Sequence, residues 1–232
     1  MIVLYKYLLF DLDETLFDYQ AAETAALNRV LQEYDVVEYA EQFKKTYHLI
    51  NNKLWSDYEK GLVQKDEILA TRFSKTVAQL KLSLDGSKMT VDYQLFLGQG
   101  YQLIDGAIKC LEKLRQQGFK LYALTNGVER TQLSRLSGSS LDRYFEKVYI
   151  SEQTGSQKPF LAFYDFVFNN SPEIEKEFAL MIGDSLTSDI QGAINATIDS
   201  CWYNPHQIEN NSGIQATYII GNYDELINIV SK

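Results

Sequence analysis

Two aspartates one residue apart, Asp11 and Asp13, end the apolar run Leu8-Leu9-Phe10. Carboxylates at i and i+2 on an extended backbone can point to one side and share a small hard cation. The same spacing is common in solvated turns, so its meaning depends on what accompanies it. Two later apolar runs also stop at polar groups, one at Thr125-Asn126-Gly127 and one at Gly183-Asp184-Ser185, and Lys158-Pro159 opens a further segment. Carboxylates for a metal, hydroxyl and amide donors for phosphate oxygens, and an ammonium to offset charge are the parts that phosphoryl transfer needs. Singly, each has an ordinary explanation: Asp184 and Asp189 could cap the helix they flank, Thr125 to Gly127 could be a turn, and Lys158 could be solvated.

The elements around these residues decide between the two readings. Residues 3–10 carry one charge, Lys6, and read as a strand buried on both faces in the middle of a parallel sheet. From Ile104 the pattern alternates helix and strand, which predicts right-handed parallel crossovers. The expected order is a helix over 107–117 closed by Gly118, a strand over 119–124, a helix over 128–136 and a strand over 147–150. A helix over 158–169 follows, with Pro159 in its first turn, then a strand over 178–182 and a helix over 187–195. A strand over 198–202 is the last of the core, and a helix over 223–231 ends the chain. In a parallel sheet the three polar stops share one edge, where open α/β sheets bind ligands. There Lys158, at the mouth of a helix, would act on an anion together with the helix N-terminus.

Between these parts, residues 17–98 carry long amphipathic patterns without strand alternation. Helices are expected over 18–34, with Asp18 as cap, and over 38–58, 65–80 and 91–97. In the second, Tyr47, Ile50, Asn51, Leu54, Trp55 and Tyr58 form one stripe, the core of a small bundle, with Trp55 or a tyrosine near its open end available to stack on a substrate. Gly98-Gln99-Gly100 reads as a linker, because no strand precedes it as a dinucleotide fingerprint requires. The fold class is therefore α/β: a doubly wound, Rossmann-like parallel-sheet core from 1–16 and 99–232, with a helical domain inserted at 17–98.

Composition narrows the partners. The 232 residues are 45% hydrophobic and 23% charged, as in a folded globular protein, and the net charge is -9. With no basic cluster, a nucleic acid polymer is not an expected partner. An acidic protein that handles phosphate needs a local cation to offset its own field. The two cysteines, Cys110 and Cys201, lack ligand or redox spacing and fit small core residues of a reducing compartment. No run approaches the roughly 20 apolar residues of a membrane span, and Asp11 comes too early for a signal peptide to precede it, so a cytoplasmic protein without a membrane partner is expected.

In order, FDLDETL, LTNG, QKP and GDSLTSD resemble the four motifs of the haloacid dehalogenase superfamily. The resemblance implies that Asp11 attacks phosphorus to form an aspartyl phosphate, while Asp13 protonates the leaving oxygen and then deprotonates the hydrolytic water. It further implies magnesium held by the Asp11 side chain, the Asp13 main-chain carbonyl and Asp184. Thr125, Asn126 and Lys158 become phosphate-binding residues, Asp189 orients Lys158 or a metal-bound water, and Thr15 supports the loop. The insertion corresponds to the superfamily's helical cap, which closes over the site and leaves discrimination among substrates to an aromatic-rich region (Phe17, Tyr19, Tyr34, Tyr39, Phe43, Tyr47, Trp55, Tyr58). Glu14 departs from the glycine common in sugar-phosphate mutases and phosphoglycolate phosphatases, and an acid at position 13 disfavours dehalogenation. Together with Cys201-Trp202-Tyr203-Asn204-Pro205, the motifs resemble the pyrimidine 5'-nucleotidase branch, which implies a nucleoside monophosphate as the small phosphomonoester substrate. The alternatives are a phosphatase or phosphotransferase acting on sugar phosphates or phosphoglycolate, and a non-catalytic phosphate-binding or receiver-like signalling protein.

Overall fold

A computed structural model describes residues 5–231 of the chain. It divides into two compact units, one comprising the chain up to Tyr19 and from Tyr101 onward, the other Gln20–Gly100. The first strand, β1 (Tyr7–Phe10), is buried throughout, as its apolar composition requires. Residues 3 and 4 of the strand expected over 3–10 lie outside the described residues.

Four helices follow: α1 (Tyr19–Glu33), α2 (Ala40–Glu59), α3 (Lys65–Gln79) and α4 (Gly86–Leu97). On α2 the residues Phe43, Tyr47, Asn51, Leu54 and Tyr58 recur every three or four positions and are buried. The rings of Tyr47, Phe73 and Tyr93 meet at centroid distances of 4.8 to 5.7 Å and tie α2, α3 and α4 together. Helix α4 starts five residues before the expected position 91. Asp85 caps it, its carboxylate accepting from the Ser87 and Lys88 N–H groups at 2.9 and 3.0 Å.

The chain then alternates through α5 (Ala107–Gln116), β2 (Lys120–Thr125), α6 (Glu129–Ser139), β3 (Lys147–Ile150), the short α7 (Ser151–Thr154) and α8 (Leu161–Asn170). It finishes with β4 (Ala179–Gly183), α9 (Gln191–Ala196), β5 (Asp199–Tyr203), β6 (Tyr218–Ile220) and α10 (Tyr223–Val230). All strand pairs are parallel, in the order β3-β2-β1-β4-β5-β6. Alternation along β1 sends Leu8 and Phe10 into one core layer with Leu111 of α5 and Leu226 of α10, and Tyr7 and Leu9 into the other with Phe163 and Val167 of α8. Each such fully buried side chain contributes about 1.5–3 kcal/mol, so a charged residue at Leu9 would remove the support of the strand that carries the site.

Three expectations are corrected here. Strand β5 is not the last, because Tyr218–Ile220 adds a sixth strand against it, too short to show a period of its own. Lys158 and Pro159 do not open α8, which starts at Leu161; a turn precedes it, with the Phe160 N–H donating to the Gln157 carbonyl at 2.9 Å. The residue before a proline is disfavoured in the helical region, which keeps Lys158 out of the helix. Finally, the segment expected to be helical from 187 begins with a π-helical turn, Leu186–Ile190, before α9. Among the described residues no helix is long and apolar enough to cross a membrane.

Candidate active site

Register brings the three strand ends together. Phe10 pairs with Ala123 of β2 on one side and with Ile182 of β4 on the other, so Asp11 emerges between Leu124-Thr125 and Gly183-Asp184. This is where the order of a doubly wound sheet reverses and its ligand crevice opens.

At the bottom of the crevice lies Lys158, 1% exposed along its side chain. Its ammonium donates all three protons, to Asp11 Oδ1, Asp189 Oδ1 and the Leu124 carbonyl, each at 2.7 Å. Burial alone would strip the ammonium of its proton, but Asp11 and Asp189 outweigh it and hold the lysine above its ordinary pKa. The turn that carries Lys158 is fixed by Asn126, whose side-chain amide donates to the Lys158 carbonyl and accepts from the Lys158 N–H, both at 2.9 Å. Both functional ends of the Asn126 side chain thus meet the main chain of Lys158. Thr125 Oγ1 is buried and accepts from the Gly127 N–H at 3.0 Å and from Gln132 Nε2 at 2.9 Å, which leaves its own proton to be donated.

Asp11, Asp184 and Asp189 each offer a carboxylate oxygen, all within 4.8 Å of one another. Burial pushes Asp11 up to about 7 against the pull of Lys158, and Asp189 and Asp13 add to the push. Asp184 is likewise held well above its ordinary range, by burial first and then by Asp11, Asp189 and Glu14. The cause is a shortage of positive charge: three carboxylates face one ammonium, 3 − 1 = 2 charges in excess. A divalent cation supplies that difference, and an all-oxygen donor set is what magnesium takes, so the residues present fit the ion.

The loop after Gly183 is built to hold this group. Ser185 caps the π-helical turn, accepting from the Ser188 N–H at 3.1 Å, and its own N–H donates to Asp189 Oδ2 at 3.1 Å. Trp202 Nε1 donates to the Asp184 carbonyl at 2.7 Å. Gly183 has to be glycine, because a Cβ there would overlap the Asp189 carboxylate. Asp189 thereby orients Lys158, the first of the two tasks its motif implies.

Asp13 lies apart from this group. Its Oδ2 accepts from Gln132 Nε2 at 2.8 Å and its Oδ1 from Arg135 Nη1. The i, i+2 spacing suggests that both side chains share one cation; instead the Asp13 carboxylate is engaged by Gln132 and Arg135, and Glu14 directly after it takes a left-handed conformation (φ 57°). At such a φ glycine is the favoured residue, which makes Glu14 a strained position. Thr15 is buried in the same loop, its carbonyl accepting from Tyr223 Oη at 2.7 Å. Gln132 and Arg135 were absent from the sequence reading. The available signal was their place on the inward stripe of α6 with Leu136, three residues apart and all but fully buried.

The sequence matches the family of haloacid dehalogenase-like hydrolases over residues 8–203. The chain belongs to this family. It is 43% identical over 228 residues to pyrimidine 5'-nucleotidase PynA of Streptococcus pneumoniae, covering 98% of this chain and 96% of that one. To pyrimidine 5'-nucleotidase YjjG of Escherichia coli it is 30% identical over 228 residues, covering 98% and 99%. A crystal structure of the HAD-hydrolase YfnB of Bacillus subtilis bound to magnesium superposes with a TM-score of 0.91 at 40% identity, covering 99% of this chain and 100% of that one. Membership in a hydrolase family removes the receiver-like alternative, which the 81-residue second unit of this chain also disfavours.

Proposed function

We propose that this haloacid dehalogenase-like hydrolase is a magnesium-dependent phosphomonoesterase that acts through Asp11 on pyrimidine nucleoside 5'-monophosphates. The observation that carries it is the separation of two carboxylates. Asp11 lies against Lys158 in the charge-deficient group, whereas Asp13, two residues on, is held elsewhere by Gln132 and Arg135. One is placed to attack phosphorus and the other to move protons.

In the first step an Asp11 oxygen forms a bond to phosphorus as the bond from phosphorus to the ester oxygen breaks. The electron pair stays on that oxygen, which takes a proton from Asp13. In the second, water attacks phosphorus and gives its proton to Asp13; the bond from phosphorus to Asp11 breaks, and the Asp11 carboxylate re-forms with release of phosphate. Thr125 donates its hydroxyl proton to a phosphoryl oxygen, while Asn126 holds the main chain of Lys158. Lys158 keeps Asp11 oriented and offsets charge through both steps. A magnesium ion held by the Asp11 and Asp184 carboxylates and the Asp13 main-chain carbonyl would neutralise charge on the transferring group.

These core groups engage only the phosphoryl end, so we assign leaving-group selection to the helical unit as a cap, together with Tyr19. The structure shortens the aromatic candidates: Phe17, Phe43, Tyr47 and Tyr58 are buried in core layers, and Tyr34 Oη bonds Asp92 at 2.8 Å. Tyr39 is exposed, Tyr19 and Trp55 remain partly exposed, and Tyr19 lies 5.9 Å from the guanidinium that holds Asp13. Flat rings suit a pyrimidine, for which stacking contributes about 1 to 3 kcal/mol. Two buried free cysteines and the small polar substrate fit a cytoplasmic enzyme.

The test compares kcat/KM for uridine and thymidine 5'-monophosphates, phosphoglycolate and a hexose phosphate, with magnesium and with a chelator. The nucleotides are expected to lead by about tenfold or more, the gap that about 1.4 kcal/mol of stacking provides. Activity in chelator, or in Asp11→Asn, would refute the mechanism, and a lead by phosphoglycolate or the hexose phosphate would refute the substrate.

A further inference from the structure

Gln132 and Arg135 form a closed hydrogen-bond relay around Asp13 and Thr125. Arg135 Nη1 donates to Gln132 Oε1 at 3.2 Å, which fixes the orientation of the amide. The Gln132 NH₂ then has two protons to place, and it places them on Asp13 Oδ2 and on Thr125 Oγ1. A flipped amide would set its oxygen against the Asp13 carboxylate and the Arg135 donor would lose its acceptor, so one orientation alone satisfies every partner. The Arg135 guanidinium lies 4.2 Å over the Phe17 ring, which holds the fork flat while it grips Asp13 Oδ1. Room for the relay comes from Gly127, where a Cβ would come within 2.7 Å of Gln132 Cγ and Cδ.

From this geometry we propose that Gln132 and Arg135 are positioning residues for proton transfer by Asp13: they hold its carboxylate for the leaving oxygen and, through the same amide, direct the Thr125 proton toward the phosphoryl group. The inference rests on the function proposed above and adds the residues that make its acid and base competent. Neither side chain is assigned a contact with the substrate; both act through Asp13 and Thr125.

A leaving-group comparison separates this role from a merely structural one. Uridine needs a proton as it departs, whereas p-nitrophenolate leaves readily as the anion. With enzyme in excess and magnesium present, single-turnover release of uridine from its 5'-monophosphate and of p-nitrophenol from p-nitrophenyl phosphate is measured for the wild type and for Gln132→Met. Release of uridine is expected to slow by about 10²-fold, the lower range for general acid catalysis, while release of p-nitrophenol slows less than about threefold. Arg135→Lys, which keeps the charge but not the planar fork, is expected to shift the same ratio in the same direction by a smaller factor. Equal slowing of both substrates, or slowing of neither, would overturn the proposal, and the lysine variant decides the matter if Gln132→Met fails to fold. Should the wild type release neither product, the function itself falls; should it release both while the variants leave the ratio unchanged, only the relay falls.

Discussion

Replacing Lys158 by methionine should reveal how much of the site's electrostatics rests on one ammonium. The side chain is similar in length, so the packing loss is small, but two buried carboxylates lose their shared partner and the Leu124 carbonyl its donor. Breaking a buried ion pair by removing one member costs about 3–5 kcal/mol. At about 2–4 °C per kcal/mol for a chain of this size, the melting temperature falls by roughly 6–20 °C. The loss carries a pH signature. Asp11 has its folded pKa raised to about 7, above an ordinary carboxyl near 4, so between these values the folded state binds more protons than the unfolded one and its stability falls as pH rises. The Lys158 ammonium pulls the Asp11 pKa down, and its removal pushes that pKa higher still. The lysine, raised in turn, stays charged across the whole range in the wild type. The gap between wild type and variant is therefore smaller at about pH 5.5, where Asp11 takes a proton in the folded variant, and larger at about pH 8. Magnesium should narrow the gap at the higher pH, since a cation then replaces the missing ammonium. Melting followed by circular dichroism at both pH values, with and without magnesium, supplies the measurement. A loss below about 3 °C at the higher pH, or a gap that shrinks as pH rises, would sink the charge accounting.

Two further outcomes follow from the same group. In the proposed site magnesium would bind the ionised forms of Asp11 and Asp184, so with a metal-free value of about 7 for Asp11 the apparent affinity should rise by at least about tenfold from pH 6 to pH 8, with proton release at the lower pH; calorimetric titration in buffers of different ionisation enthalpy reads both, and a pH-independent affinity would remove Asp11 from the ligand set. Gly183→Ala should cost about 1–3 kcal/mol by pushing the Asp189 carboxylate off Lys158, and it should raise the magnesium requirement; a variant with unchanged melting and unchanged requirement would show that the close approach of Gly183 and Asp189 does not matter.

What was legible in the sequence follows from how each feature is encoded. The sheet edge is written locally: an apolar run that stops at a polar group marks a strand end, which is why the placement of Asp11, Thr125 and Asp184 along one edge could be read from one dimension. Relations between side chains distant along the chain leave no such mark. That the Asn126 side chain bonds the main chain of Lys158, 32 residues away, is written in neither segment. Gln132 and Arg135 share a stripe of α6 with Leu136, but nothing near them in the chain points to Asp13, 119 and 122 residues away. Aromatic content is ambiguous for a related reason, since composition cannot separate rings that line a site from those that fill a bundle; Tyr47, on the stripe expected to form the bundle core, is filling, and so is Phe43. In each case the sequence names the groups while the fold decides which of them satisfy one another. Lys158 shows the consequence for chemistry. With its three protons given to Asp11, Asp189 and the Leu124 carbonyl, it has none left for a further acceptor, so under the function proposed above the positive charge that meets the phosphoryl group comes from the cation that the surplus of carboxylates calls for.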